Sequence, residues 1–81
     1  MKYIIELTFT DSGMDEIDYV GVGTYVVNHD RYAVLTTNPS EAKRSSSYGR
    51  AENAYFRMCG TCHNVTLANE YEILELNEEK S

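Results

Sequence analysis

The fold class is decided by the stretch KYIIELTFT, residues 2–10, in which apolar and polar side chains alternate. The odd-numbered positions of this stretch carry the apolar side chains Tyr3, Ile5, Leu7 and Phe9. Only Ile4 departs from the alternation. Successive side chains of a strand point to opposite faces of a sheet, so this stretch predicts a half-buried strand.

Two further strands are predicted after an acidic segment. Residues 11–18 carry four acids and no apolar period, which predicts a mobile acidic loop. Residues 19–27 alternate β-branched and aromatic side chains, and the glycines of this run indicate a bulge or a close backbone approach within a second strand. Turn-forming residues at 28–30 precede a β-rich run at 32–36, so the second and third strands are expected to form a hairpin.

A helical segment follows the third strand. Asn38 is the predicted N-cap, with Pro39 at the first helical position and a glutamate three residues after the cap. Low helix propensity over residues 45–49 predicts a break and a new helix. The new helix carries an apolar stripe that faces the sheet, formed by Ala51, Ala54, Tyr55 and Met58. Gly60 is expected to end it, which leaves residues 59–64 as a connection.

The last segment fits a strand or a helix. Tyr71 and Ile73 share one parity and Leu74 and Leu76 the other, so a strand with four buried apolar residues needs a bulge between Ile73 and Leu74. A helix over residues 69–78 is the rival interpretation. We favour the strand, because it gives the lone amphipathic helix a larger sheet to cover.

Together these elements predict an α+β fold with the order β-β-β-α-β. One interrupted helix packs on one face of a small antiparallel sheet, and residues 1–81 form a single domain. The predicted core consists of Tyr3, Ile5, Leu7, Phe9, Val34, Ala54, Tyr55, Met58, Ile73 and Leu76.

The composition excludes several classes of function. Thirteen acids and seven bases give a net charge of −6, which argues against direct binding of nucleic acid. No apolar run is long enough to cross a membrane and the N-terminus has no export signal, so we expect a cytoplasmic protein without a membrane partner. Two histidines and no evident nucleophile, base and acid arrangement indicate that the chain is not an enzyme.

The motif Cys59-Gly60-Thr61-Cys62-His63 matches the signature of c-type haem attachment. The same residues, with His29, could instead hold zinc, and the two thiols could form a redox pair. Against haem stand the missing export signal and the β-rich composition, and the ligand set for zinc is poor. We therefore expect semi-buried thiols with no metal and no cofactor, and keep a metal or redox protein as the alternative function.

Charge is distributed unevenly along the chain. Residues 41–60 hold four bases and two acids, whereas the predicted loop and the C-terminal segment, which includes Glu78 and Glu79, are acidic. These charges either compensate one another within the fold or present an acidic surface to a basic groove of a partner. The predicted partner-binding residues are Asp11, Asp15, Glu16, Asp18, Tyr19, Glu70, Tyr71, Glu72 and Glu75.

The stretch YAVLTTNPSEAKR at residues 32–44, followed by AENA at 51–54, is similar to small bacteriophage accessory proteins of the anti-CRISPR type. The resemblance implies a phage-encoded inhibitor in the host cell cytoplasm that binds a host nuclease complex and blocks its access to nucleic acid. The implied partner is a larger protein or ribonucleoprotein with a basic surface, bound by a monomer or a homodimer. The resemblance transfers no site residues.

Overall fold

The computed structural model describes residues 1–76. Its elements are β1 (Lys2–Asp11), β2 (Met14–Val27), β3 (Asp30–Thr36), a 3-10 helix (Pro39–Glu41), α1 (Tyr48–Thr61), α2 (His63–Thr66) and β4 (Glu70–Leu76). The strands form one antiparallel sheet in the order β3-β2-β1-β4. This architecture confirms the predicted α+β class and the order of its main elements.

The core lies between one face of the sheet and the two α-helices. Ile5 and Leu7 of β1 are buried there together with Ala51 of α1 and Val65 of α2. We call this side of the sheet the core face. The predicted core residues Tyr3, Phe9, Ala54, Tyr55 and Met58 are partly buried against this cluster, and Ile73 belongs to it.

Two residues of the predicted core lie outside this cluster. Ala33 and Leu35 are the residues of β3 that contribute to it, so alternation turns Val34 to the other face. Leu76 likewise has the parity opposite to Ile73. The prediction was wrong for Val34 and Leu76 because parity within a single strand does not reveal which face receives the helix.

The predicted acidic loop is instead part of a hairpin, so this prediction was wrong. Ser12 and Gly13 form a two-residue turn in which both φ angles are positive, 54° and 81°. Such turns match the twist of paired strands, so β1 and β2 stay in register up to Asp11 and Met14. The acids at positions 15–18 therefore lie in β2, where regular backbone pairing is made despite the weak alternation of side chains.

The second hairpin and its irregularity were predicted correctly. Asn28 and His29 form another two-residue turn with positive φ angles between β2 and β3. The register of these strands shifts between Val20 and Thr24. A Cβ atom at Gly21 would lie 3.1 Å from Cγ1 of Val34, which is the close approach that favours glycine at this position.

The helical segment has the expected break but a different end. Asn38 accepts a hydrogen bond from the backbone of Ser40 (3.0 Å), and Ser47 caps α1 in the same way. Helix α1 continues through Gly60, which does not adopt the positive φ of a terminating glycine. Cys62 ends α1 and begins α2, so the predicted stop at Gly60 and the connection over residues 59–64 were wrong.

Helix α2 fixes the free edge of the sheet. The side-chain amide of Asn64 accepts a hydrogen bond from the Ala33 backbone N–H (2.9 Å) and donates one to the Ala33 carbonyl (2.8 Å). These are the two bonds that a neighbouring strand would supply, so Asn64 closes the edge of β3 at this point.

The last described element is the favoured strand, without the expected bulge. Pairing of β1 with β4 is continuous from Lys2 opposite Leu76 to Thr8 opposite Glu70. Ile4, which departs from the alternation of β1, lies opposite Leu74 and is only 2% exposed. A bulge is unnecessary because the second face is apolar at this pair. The end of the rival helix, with Glu78 and Glu79, lies outside the described residues.

Candidate functional site

The face of the sheet opposite the core face carries most of the candidate site. Both α-helices pack on the core face, so alternate residues of β1, β2 and β4 project away from them. We call this second surface the open face, and it is formed by Glu6, Thr8, Ile17, Tyr19, Glu70 and Glu72.

The register arranges the open face in cross-strand rows. Tyr19, Glu6 and Glu72 form one row, because Glu6 of β1 lies opposite Tyr19 on one side and Glu72 on the other. Ile17 and Glu70 flank Thr8 in the next row. Like charges directly opposite each other destabilise a sheet, by about 0.2–1 kcal/mol. The Glu6–Glu72 pair therefore costs stability that a cation from a binding partner would restore.

A cavity of about 440 Å³ opens beside these rows. Its lining includes Glu6, Glu70 and Glu72 but no lysine or arginine from the described part of the chain. Asn69 fixes its rim, because its side-chain oxygen accepts a hydrogen bond from the Thr10 N–H (2.7 Å). This acidic cavity can attract cationic side chains, and its carboxylates can accept their hydrogen bonds.

Tyr19 lies at the end of the row that contains Glu6 and Glu72, which we call the acidic row. Partial burial raises the pKa of the Tyr19 hydroxyl, and the negative charge of Glu6 and a hydrogen bond to its carboxylate raise it further. A half-buried tyrosine next to carboxylates has the apolar ring and the polar tip that are typical of residues at protein interfaces.

Tyr71, the other predicted aromatic anchor, lies on the core face. Its ring stacks on Tyr55 with centroids 3.9 Å apart, and Phe56 lies edge-on to both rings. Burial and the nearby carboxylate of Glu52 raise the pKa of Tyr71. Glu75 lies on the same face of β4 as Tyr71, and its carboxylate accepts a 3.4 Å hydrogen bond from the Tyr3 hydroxyl. The Tyr71 ring and the Glu75 carboxylate thus lie on the core face, although Tyr71 also contributes to the lining of the acidic cavity.

The acids of the first hairpin divide between the two faces. Asp15 has the parity of the open face, and its carboxylate accepts a 2.7 Å hydrogen bond from the Thr10 hydroxyl. Asp11, Glu16 and Asp18 have the parity of the core face. Four of the predicted residues therefore lie on the open face, which are Asp15, Tyr19, Glu70 and Glu72. The acidic cavity itself brings together Glu70, Tyr71 and Glu72.

Sequence reasoning missed Glu6 as a site residue. The alternation of residues 2–10 predicts only a solvent-facing polar position for Glu6, although Glu6 lies at the centre of the acidic row. The signal that could have found it is the parity that Glu6 shares with Thr8 and Thr10, combined with the register of a final strand rich in glutamate.

The cysteine and histidine residues of the alternative function meet at another cavity, of about 380 Å³, lined by His29, Asp30, Cys59, Cys62 and His63 among others. Both cysteines are free thiols. Cys62 is only 2% exposed, so bonding its thiol to a haem would require the core to open. Among residues 1–76, no three histidine, cysteine or acidic side chains are close enough together to hold one metal ion.

Comparisons of the chain with protein families, curated proteins and solved structures found no match. Within the described part of the chain, no helix is long and apolar enough to cross a membrane.

Proposed function

We propose that this chain is a non-enzymatic protein-binding inhibitor of the anti-CRISPR kind. In this proposal its open face occludes a basic nucleic-acid-binding surface of a host nuclease complex. The observation that carries the proposal is the convergence of Glu6, Glu70 and Glu72 on the face of the sheet opposite the α-helices, around a cavity that no lysine or arginine of residues 1–76 lines.

The energetics of the acidic row support binding over a purely structural role. Glu6 and Glu72 are adjacent across two strands and repel each other in the free protein. A lysine or arginine that enters the acidic cavity would cancel this repulsion and form charge-assisted hydrogen bonds. The fold therefore holds an unfavourable charge arrangement that a basic partner relieves.

The size of the chain is sufficient for this role. A standard interface covers about 800 Å² on each partner, which is about one seventh of the 5587 Å² surface of the chain. Tyr19 at the end of the acidic row would supply the aromatic contact that such interfaces concentrate. The negative charge would accelerate encounter with a nucleic-acid groove, and inhibition would need no chemical step.

The test uses CRISPR effector complexes as partners. Dissociation constants and nucleic-acid binding by the effector are measured with the wild type and with a Glu6→Gln, Glu72→Gln double variant. We expect the double variant to bind at least tenfold more weakly, because it removes the acidic row. A matched control, Asp30→Asn with Glu52→Gln, removes the same charge from β3 and α1 and should change binding less than threefold.

Three results would contradict the proposal. Absence of binding to all effectors tested would leave it without a partner. Equal losses in the double variant and the control would show that net charge acts instead of the open face. Binding that leaves nucleic-acid access intact would rule out occlusion.

A further inference from the structure

The cations of the chain are concentrated at a third cavity, of about 540 Å³. It is lined by Lys2, Lys43, Arg44, Arg50 and Arg57, which are five of the seven lysine and arginine residues in the sequence. No acidic residue of the described chain lines it. We call it the basic cavity, and it exists in a protein whose net charge is −6.

Backbone pairing holds one wall of the basic cavity in place. The Tyr3 N–H donates to the Ser45 carbonyl (2.9 Å), and the Ser45 N–H donates to the Tyr3 carbonyl (2.8 Å). Next to this bridge, the Lys43 N–H donates to the Val20 carbonyl (2.8 Å). The segment that carries Lys43 and Arg44 is therefore fixed against the sheet instead of free in solution.

The opposite wall is one side of α1. Arg50, Asn53 and Arg57 are spaced by three and four residues, so they lie on one face of the helix. Arg44 is oriented from the other wall, where its guanidinium donates to the carbonyls of Ser40 (3.1 Å) and Ala42 (3.3 Å). Lys43 therefore lines the cavity from one wall, and Arg50 and Arg57 line it from the other.

This arrangement fits an anionic ligand. Like charges that share a cavity repel one another, and an anion between them removes that repulsion. One guanidinium group can donate two parallel hydrogen bonds to two phosphate oxygens, and a lysine ammonium adds a compact positive charge. The hydroxyls of Ser45 and Ser46, which also line the cavity, can donate further hydrogen bonds. The volume is within the range of small-molecule sites, about 300–1,000 Å³.

We infer that the basic cavity binds a compact phosphate-bearing ligand, such as pyrophosphate or the polyphosphate group of a nucleotide. A long nucleic acid fits less well, because its flanking phosphates would extend beyond the cavity along a chain with a net charge of −6. The inference uses a different surface from the open face and does not depend on the proposed inhibitor function.

The experiment is a calorimetric titration of the full chain with pyrophosphate, with a nucleoside triphosphate and with a twenty-nucleotide single strand, at low and moderate salt. We expect one pyrophosphate or triphosphate site per chain and weaker binding of the oligonucleotide. Arg50→Gln and Arg57→Gln should each reduce the affinity about tenfold, since each removes a charge-assisted hydrogen bond.

Arg31→Gln is the matched control. Arg31 lines the cavity with the cysteines and bonds the Thr24 hydroxyl (3.1 Å), so its loss removes one charge elsewhere and should change affinity less than twofold. Lys43 is an exposed side chain at the basic cavity, and Lys43→Gln should independently lower the affinity for pyrophosphate. Circular dichroism checks the fold of each variant.

Each contrary outcome overturns the inference. No heat and no phosphorus chemical-shift change with pyrophosphate or triphosphate at low salt would show that the cavity is not a phosphate site. Equal effects of Arg31→Gln and Arg57→Gln would assign the binding to net charge. Tighter binding of the oligonucleotide than of triphosphate would replace the compact ligand by nucleic acid.

Discussion

The acidic cavity and the basic cavity belong to the same sheet but are built in different ways. Glutamates of two regular strands form the acidic cavity, and their positions follow from the register of β1 with β4. The basic cavity combines the first residues of β1 with an irregular segment and one side of α1. Regular pairing of β1 with β4 is sufficient to form the acidic cavity. The basic cavity depends on one isolated bridge between Tyr3 and Ser45.

The two cavities also show that net charge conceals how charge is arranged. β1 runs from Lys2 at the basic cavity to Asp11 at the acidic hairpin. Nine residue-to-residue steps separate them, or about 30 Å, which exceeds the Debye length of about 8 Å in physiological salt. The charges at these two ends of β1 therefore compensate each other little in physiological salt.

The largest expected effect comes from breaking the bridge that only the basic cavity needs. Ser45→Pro removes the N–H that bonds the Tyr3 carbonyl, and we expect a loss of about 2 kcal/mol in the free energy of unfolding. Urea denaturation measures it. Ser46→Ala, one residue away and exposed, should stay within about 0.5 kcal/mol of the wild type. Similar values for the two variants would show that the bridge is dispensable.

The next prediction separates the hairpin acids from the open face. Neutralising Asp11, Glu16 and Asp18 to Asn, Gln and Asn should slow association with a CRISPR effector about tenfold at low salt and reduce its salt dependence. Dissociation should change little, because these acids act mainly through long-range attraction. The Glu6→Gln, Glu72→Gln variant should instead accelerate dissociation. Stopped-flow or surface-based kinetics distinguish the two, and a hairpin variant that dissociates faster would place direct contacts there.

A smaller effect tests the repulsion in the acidic row without any partner. Glu72→Gln should raise the free energy of unfolding by about 0.5 kcal/mol, because Glu72 lies directly opposite Glu6. The matched control is Glu70→Gln, since Glu70 lies opposite the uncharged Thr8 and should change stability less. Equal shifts in denaturation midpoint would mean that the pair is screened by solvent.

The aromatic cluster on the core face should respond only at high pH. Burial, and then Cys59 and Tyr71, raise the pKa of Tyr55 from 10.0 to about 12. The folded state therefore keeps a proton that the unfolded chain has lost. The resulting stability is fully present below pH 10 and disappears as the pH rises through about 12. Tyr55→Phe should flatten this part of the stability profile. An unchanged slope between pH 10 and 12 would exclude Tyr55 as its source.

The smallest expected effect concerns the cysteine and histidine cavity. We predict that protein purified without chelators carries no stoichiometric metal and no haem, and that Cys59→Ser leaves binding to either charged cavity unchanged. Elemental analysis and an absorption spectrum measure this. About one zinc per chain after dialysis, or a Soret band, would favour the alternative metal or redox function.

The sequence determined the local features of this protein. Alternation in residues 2–10 determined the central strand, and the caps and breaks around Asn38 and the serines determined where helical structure starts. Turn residues at 28–29 determined one hairpin. Each of these is predictable because the interactions that decide it lie within a few residues of one another along the chain.

Only the tertiary structure decided which faces and segments meet. It placed Val34 and Leu76 away from the main core, since the side of a strand that is buried depends on where the helices pack. It brought Glu6 to Glu72 through a register that spans almost the whole chain. It also brought Lys2 to Arg57 across a cavity that no local pattern indicates. These contacts depend on long-range packing, and a one-residue change of register would turn every side chain of a strand to the opposite face.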